Sequence, residues 1–489
     1  MIIWGISANS HDAAIAVFNN GKIVFASHSE RFSGKKNDKD LCTQLVLHAK
    51  QYGNPDRVYW YERPLRKTLR QLYAGQGWKG KDNNIKLYLA KYDINSPITY
   101  VDHHLSHAAG GYFTSGFDNA CVIVIDAIGE WDTASIWEAK GNNLKKKWSL
   151  CYPHSIGLFY SAMTQRIGLK PNEDEYILMG MSAYGDTKNL AEDIDNDFVD
   201  NYNNLKFTRN CHRGARDWRP DLTDEDNFEI AAGVQVVYEN YLNSLLVKSR
   251  GLIKSKNLVL MGGCALNCSA NGSTGKYFDN TWIMPNPGDA GSAMGAVLAK
   301  HPEWKITQDQ FTPFLGYDMG SSTDNKIIVD YLLSDKICGI AKGRAEFGPR
   351  ALGNRSLIAD PRGKDIKDKV NAIKQRQEFR PFAPAILEEL VGDYFDMPAG
   401  WSNSRYMQVI ARCKVPDLFP AIIHKDGTSR VQTVPNNGSE FRKLLELWYA
   451  QTGCPMLLNT SLNIKGQPMV NNHHDAQDFE RYYGVKVFT

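Results

Sequence analysis

"ACVIVIDAIGEWDTASIWEAKGNNLKKKWSL", residues 120–150, reads as a strand, a polar turn, a second strand, a loop and a third strand. The first of these is a β-branched run with the length of a buried strand, ending on Asp126 ahead of a glycine-containing turn. The chain opens in the same order: "IIWGIS" (2–7), then "AAIAVFNNGKIVFASHSERF" (13–32), with Asn19-Asn20-Gly21 as the hairpin turn because Asn and Gly tolerate positive φ. Two β-openings alike in pattern, though not in identity, predict two related halves facing one cleft. The first opening suits an antiparallel edge of a mixed sheet, followed by a helix from about Asp40 to Gly53 and a short strand "RVYWY" (57–61).

Further along, "NLVLMGGCALNCSANG" (257–272) reads as a buried strand running into Gly262-Gly263 and a helix, a place where backbone can approach a ligand closely. "PNPGDAGSAMGA" (285–296) sets Asp289 on a glycine-rich turn before a helix of small residues. A boundary is expected between about Pro313 and Asp335, where Gly316, Gly320 and "SSTDNK" (321–326) interrupt the periodicity. After it come a strand "ICGIAKG" (337–343) and the arginine- and glycine-rich "GRAEFGPRALGNRS" (343–356). At 489 residues the chain exceeds what one core usually serves, so two or three structural units are expected.

With 43% hydrophobic and 23% charged residues, the composition is that of an ordinary globular protein. The N-terminus lacks a signal-peptide pattern and no apolar run is long enough to span a bilayer, so a cytoplasmic location without membrane partners is expected. Nine scattered cysteines suit a reducing compartment, and Cys264 and Cys268 lack zinc-finger spacing, which favours small buried residues. A net charge of +3 does not mark a nucleic-acid binder as a whole, but the charge is uneven. Residues 57–91 hold nine Lys and Arg against Glu62 and Asp82, interleaved with Tyr59, Trp60, Tyr61, Tyr73, Trp78 and Tyr88. Residues 205–220 add five Lys and Arg against one acid.

In "VDHHLSHAAGGYF" (101–113), His103 and His107 share one helix face at the i,i+4 spacing with which two imidazoles grip one metal. Alone, such a pair is more often a satisfied surface or capping pair where a helix begins. Convergence with Asp126 and Asp289 would give two imidazoles and two carboxylates, a set suited to Fe, Mn or Zn. Otherwise Asp126 is a strand-end acceptor and Asp289 a helix cap. Arg344, Arg350 and Arg355 fall among Gly343, Gly348 and Gly353, and planar guanidinium forks match phosphate oxygens, so this loop reads as an anion site.

These stretches carry a family resemblance. "SHDAAIAVF", "SERFSGKKND", "DHHLSHAAGGYF", "IDAIGEW", "GGCALNCSANG", "NPGDAGSAMGA", "GRAEFGPRALGNRSLIADPR", "FRPFAPAIL", "DGTSRVQTV" and "PMLLNTSLNIKGQP" occur in the order seen in the O-carbamoyltransferases of antibiotic and nodulation-factor biosynthesis. The resemblance spans nearly the whole chain. It implies an α/β fold: an actin-like (ASKHA) ATPase domain with duplicated halves over residues 1–325, then a smaller α+β, YrdC-like domain over residues 335–489. It also implies that carbamoyl phosphate and ATP form carbamoyl-adenylate, from which an acceptor hydroxyl takes the carbamoyl group.

By the same resemblance His103, His107, Asp126 and Asp289 hold a divalent metal (Fe, Mn, Zn or Mg), and Gly262, Gly263 and Asn267 belong to the nucleotide loop. Lys36, Arg344, Arg350, Arg430 and Lys374 hold carbamoyl phosphate or carbamate, and His11 transfers a proton or positions the carbamoyl group. Three departures stand out: Ala127 in "DAIGE" where the family has glycine, Ile177 in "EYILMG" where it has lysine, and Leu462 in "NTSLN" where it has phenylalanine. Relatives of this type occur in bacteriophages, and basic residues mixed with aromatics suit a phosphate backbone with an unstacked base. The expected acceptor is therefore 5-hydroxymethylcytosine in DNA, with a sugar or antibiotic hydroxyl as the alternative. An actin-like kinase, which would leave the second domain unused, and a non-catalytic nucleic-acid binder are the competing classes.

Overall fold

A computed structural model describes residues 1–320 and 322–489. Ser321, in the polar run read as the boundary, lies outside the described residues. The chain divides into two compact units: residues 1–33 with 37–312, and residues 34–36 with 313–489. The second unit starts at Pro313, the first residue of the Pro313–Asp335 stretch in which the boundary is expected, because Phe314–Asp318 is already one of its strands, paired antiparallel with Arg344–Glu346.

In the first unit, β1 (Ile2–Ser7), β2 (Ala14–Asn19), β3 (Lys22–His28), β4 (Arg57–Trp60) and β5 (Ile98–Tyr100) form one sheet in the order β3-β2-β1-β4-β5. The first three are antiparallel and the last two join in parallel. Asn20 and Gly21 both have positive φ, as a tight hairpin of this type requires. β1 is central rather than at the edge, and its residues from Ile3 onward are buried.

A second sheet repeats this plan. β6 (Asn119–Gly129), β7 (Asp132–Lys140) and β8 (Asn143–Cys151) are antiparallel, while strands Asn257–Met261 and Asn280–Trp282 add in parallel on the far side of β6. Strand for strand, the two sheets share one order and one pattern of directions. The halves are duplicated.

Between β3 and β4 run α1 (Glu30–Ser33) and α2 (Thr43–Lys50), shorter than the helix expected from Asp40 to Gly53. Between β4 and β5 run α3 (Pro64–Tyr73) and α4 (Ile85–Ala90). α5 (His103–Tyr112) follows β5 and occupies the place in its half that helix Ser292–Leu298 occupies in the other. The two helices meet at small residues: a Cβ on Gly295 would lie 1.9 Å from the Ser106 carbonyl oxygen. α6 (Ile156–Arg166) follows β8.

The second unit has a six-stranded mixed sheet, in the order 432–434, 383–387, 456–461, 355–359, 337–341, 487–488. Helices Asn325–Asp335 and Glu440–Thr452 supply Ile328, Val329, Leu332, Leu444, Leu445 and Trp448 to its core. The whole protein is mixed α/β. All nine cysteines are unpaired, with Cys268 buried and Cys264 half-buried, and no helix among the described residues is long and apolar enough to cross a membrane.

Candidate metal and anion sites

Asp126 leaves the ladder at a β-bulge. The β6–β7 register runs without a break to Ile125 and resumes only at Gly129, which frees Asp126, Ala127 and Ile128 to turn outward. Gly262 makes room for this turn: at φ +92° it takes a backbone few side chains adopt, and a Cβ there would lie 2.0 Å from the Ile125 carbonyl oxygen. The glycine pair thus brings the end of strand Asn257–Met261 against the strand end that carries Asp126. Gly129 serves the opposite side, where a Cβ would lie 2.4 Å from His103 Cδ2.

His103 and His107 lie on the buried face of α5, and Asp289 on the turn before helix Ser292–Leu298. Four side chains from three places in the chain converge. His103 Nε2 lies 3.0 Å from Asp126 Oδ2 and 3.4 Å from Asp289 Oδ1; His107 Nε2 lies 3.3 and 3.4 Å from the same atoms. All four ligand atoms fall within 4.8 Å of one another, the one such cluster among the described residues.

Burial opposes charge on every member of this cluster. It is overcome at His103 by the Asp289 charge and the Asp126 hydrogen bond, and at Asp126 by hydrogen bonds from both imidazoles. The histidines are held above their usual range and the carboxylates below theirs. The donor set fits a divalent transition metal. His107 Nδ1 lies 3.0 Å from the Pro287 carbonyl, an acceptor that puts the proton on Nδ1 and leaves Nε2 to face a cation.

His11, on the β1–β2 loop, has an acceptor at each ring nitrogen: Asp12 Oδ2 at 3.1 Å from Nδ1 and the Asn172 carbonyl at 2.9 Å from Nε2. Two acceptors require two N–H donors, which is the imidazolium. Burial lowers its pKa, but the Asp12 hydrogen bond and charge, with the Asp289 charge, carry it up to about 10. The ring therefore stands as a cation, with a proton to give and a charge with which to position a carbamoyl group. The loop is tied down by Lys67, whose ammonium donates to the Asn9 carbonyl, Ser10 Oγ and Glu62 Oε1 at 2.8, 2.5 and 2.7 Å.

Asn267 does not turn outward. It exchanges amide hydrogen bonds with buried Gln235 and caps the short helix that follows, which fixes the shape of the loop that begins at Gly262. Ala127, the departure from glycine, donates its N–H to Asp126 Oδ1 at 2.8 Å. Ile177 and Leu462 are buried in the cores of their units.

In the second unit, Arg355 is fully buried and donates to the carbonyls of Lys342, Gly343, Asn354, Tyr317 and Asn471. It is a backbone clamp, which corrects its reading as an anion ligand. Arg344 also gives donors to carbonyls, those of Leu315 and Gly316. Arg350 is half-buried, and Arg430 has a buried Nε with no hydrogen-bond partner.

Lys374 is buried and donates to the Ser461 carbonyl, Ser461 Oγ and Asn463 Oδ1 at 2.5, 3.0 and 2.7 Å. Burial, then the charges of Arg376, Arg380 and Lys36, push its pKa well below the usual lysine range. No carboxylate pairs with it among the described residues. Lys36 thus joins Lys374, as part of the short segment 34–36 that groups with this unit. Sequence reasoning missed Arg376 and Arg380, whose signal was the cation-rich "KQRQEFR" after Ile373, and the clamp Lys67, which had no local signal.

The aromatics of residues 57–91 divide. Tyr59, Trp60, Tyr61 and Tyr88 belong to the core, whereas Tyr73 and Trp78 are exposed.

Comparison with known proteins gives the family. The model of the carbamoyltransferase N-terminus matches residues 2–298 and that of the carbamoyltransferase C-terminus matches residues 329–488. An uncharacterised protein of Synechocystis is 34% identical, over 97% of this chain and 93% of that protein. The 3'-hydroxymethylcephem-O-carbamoyltransferase of Amycolatopsis lactamdurans is 26% identical over 95% and 94%. The nodulation protein NolNO of Sinorhizobium fredii is 28% identical over 95% and 76%. Among solved structures, the activator of the 2-hydroxyisocaproyl-CoA dehydratase from Clostridium difficile aligns with a TM-score of 0.38 at 14% identity, over 63% of this chain and 98% of that one, too distant to carry an argument. Both family models, in order and over nearly the whole length, together with these relatives, make this chain a member of the O-carbamoyltransferase family.

Proposed function

We propose that this transferase makes carbamoyl-adenylate from carbamoyl phosphate and ATP and passes the carbamoyl group to a small-molecule hydroxyl. Hydrolysis of carbamoyl phosphate gives carbamate and inorganic phosphate. A carbamate oxygen then attacks the α-phosphorus of ATP and pyrophosphate leaves. Finally the acceptor oxygen attacks the carbamoyl carbon, its proton passes to a base, and AMP leaves.

The observation that carries this reading is the convergence of His103, His107, Asp126 and Asp289. A divalent Fe, Mn, Zn or Mg ion held there would neutralise charge on the triphosphate. His11 supplies a fixed cation beside this cluster, suited to charge that builds on a leaving oxygen. Gly262 and Gly263 keep side chains away from the end of β6, where a nucleotide needs close approach. Lys36, Lys374, Arg376 and Arg380 form the carbamoyl phosphate site, with Arg350, the remaining donors of Arg344 and the unpaired Arg430 Nε as further contacts. The first unit is read as the actin-like ATPase, supported by its duplicated sheets, and the second as the YrdC-like donor domain.

The small-molecule acceptor follows the relative named for a hydroxymethylcephem. The test is carbamoyl-phosphate-dependent release of pyrophosphate from ATP, measured without acceptor. Release expected in the native protein should vanish in His107→Ala, which should stay folded by circular dichroism and lose its metal by elemental analysis. Release from ATP that ignores carbamoyl phosphate would reject the transferase chemistry in favour of a plain ATPase.

A further inference from the structure

The two basic, aromatic stretches of the sequence meet in space. Tyr73, at the end of α3, packs on Trp131 and Tyr152 with ring centroids 5.5 and 6.2 Å away, and Tyr152 packs on His212 at 5.6 Å. Gln76 Nε2 lies 3.5 Å from His212 Nε2, and the Tyr152 hydroxyl 3.3 Å from His212 Nδ1. Trp131 directly follows Glu130, whose carboxylate accepts the His103 N–H, so this aromatic row begins at the rim of the metal cluster.

At its other end His212 directly precedes Arg213, which with Gln165, Arg209, Arg216, Asp217 and Trp218 lines a cavity of about 460 Å³. Arg209 is spent on the Asp197 carbonyl and the Phe198 ring, and Trp218 is a buried wall anchored through its Nε1 to Asp197 Oδ2. Arg213 and Arg216 are exposed and have no carboxylate partner among the described residues. Asp217 is the one acid in the lining, so the cavity keeps net positive charge.

The span from cluster to cavity follows from α6. Its N-cap, Ser155, donates to the carbonyls of Asp126 and Ala127, and Gln165 in its last turn lines the cavity. That separation is about 15 Å along the helix axis. It is too long for a phosphate on the sugar that carries the reacting hydroxyl. It suits one on a neighbouring unit of an extended acceptor.

We propose that the acceptor carries a phosphate ester which Arg213 and Arg216 hold, with the body of the acceptor lying along Trp131 and Tyr73. This rests on the transferase reading for the reacting end, while binding at the cavity stands by itself. In keeping with a small-molecule acceptor the phosphate is that of a sugar nucleotide; a single-stranded nucleic acid shares the chemistry and is the other outcome of the test.

The test measures equilibrium binding of a short fluorescein-labelled oligothymidylate and, separately, of uridine diphosphate glucose, with the nucleotide site filled by a non-hydrolysable ATP analogue. Arg213→Ala with Arg216→Ala is compared with Lys254→Ala with Lys256→Ala, which removes equal charge from an exposed segment elsewhere. The arginine variant should bind about tenfold more weakly per lost contact, with a shallower salt dependence, and should keep donor-dependent pyrophosphate release. The lysine variant should bind as the native protein does. Binding of uridine diphosphate glucose supports the proposal; binding of the oligothymidylate alone overturns the sugar nucleotide as the occupant. Failure of both probes to bind the native protein, or equal weakening in the two variants, overturns the site. If binding differs as expected but the native protein lacks donor-dependent pyrophosphate release, the site stands and the transferase reading falls.

Discussion

Gly129 shows how one missing side chain decides the metal cluster. Gly129→Ala places a methyl against both His103 and His104, at 2.4 and 2.7 Å, and neither ring can retreat because both are buried. The expected cost is about 1–3 kcal/mol of stability, read by urea denaturation, together with loss of bound metal. Arg355 carries a comparable load in the second unit. Arg355→Met removes the side-chain donors to five backbone carbonyls, of which those of Gly343 and Asn354 keep a backbone N–H, and should destabilise that unit by about 3 kcal/mol. A folded Arg355→Met protein with only weakened carbamoyl phosphate binding would contradict the clamp. His11 makes a different prediction. Its folded pKa, about 10, lies above the ordinary value, so the ring stays protonated as pH rises through neutrality. In protein with labelled histidines, the resonance lost in His11→Gln should therefore not titrate between about pH 6 and 8, where an ordinary histidine does.

α3 reverses the usual helix. Its buried residues are Lys67, Thr68 and Arg70, while Leu65, Leu69, Leu72 and Tyr73 are exposed. The reason is what it packs on: Asn9 and Ser10 of the His11 loop, Glu62, and the Glu130 carbonyl, which accepts from Arg70 Nε. A reading by amphipathic period would have turned the leucines inward. The Lys67–Glu62 pair is buried on both sides, so Lys67→Met strands a carboxylate and should cost about 3–5 kcal/mol. Lys67→Met with Glu62→Leu should recover much of that stability while the loop hydrogen bonds stay lost. Equal stability losses in the single and double variants, by urea denaturation, would show that the ion pair is not the source.

Across the whole molecule the proposed reading divides the chemistry between the units, metal and nucleotide in the first and carbamoyl phosphate in the second. Arg430→Ala should raise the carbamoyl phosphate concentration needed for half-maximal pyrophosphate release about tenfold, with the ATP requirement little changed. Initial rates over both substrates separate the two effects, and a matched rise in both would merge the sites. How much of this division is legible in the chain depends on distance along it. The paired β-openings, the Asn20-Gly21 turn and the small-residue helix after Asp289 are local patterns, set by side-chain period and by φ preference, and the structure has each of them where the chain places it.

The sequence by itself determined the mixed α/β architecture with duplicated sheets, and it carries the motifs of an O-carbamoyltransferase in order. It also placed His103 and His107 on one helix face, because i and i+4 coincide on any α-helix. Only the tertiary structure decided which cations are available to a ligand. Arg355 and Lys374 look alike in the sequence as basic residues near glycine or polar turns. Folding surrounds Arg355 with backbone carbonyls, and sets Lys374, held by Ser461 and Asn463, under the charges of Arg376, Arg380 and Lys36. A guanidinium or ammonium bonds to whatever the fold brings within about 3 Å, and those partners come from remote parts of the chain that no local pattern encodes.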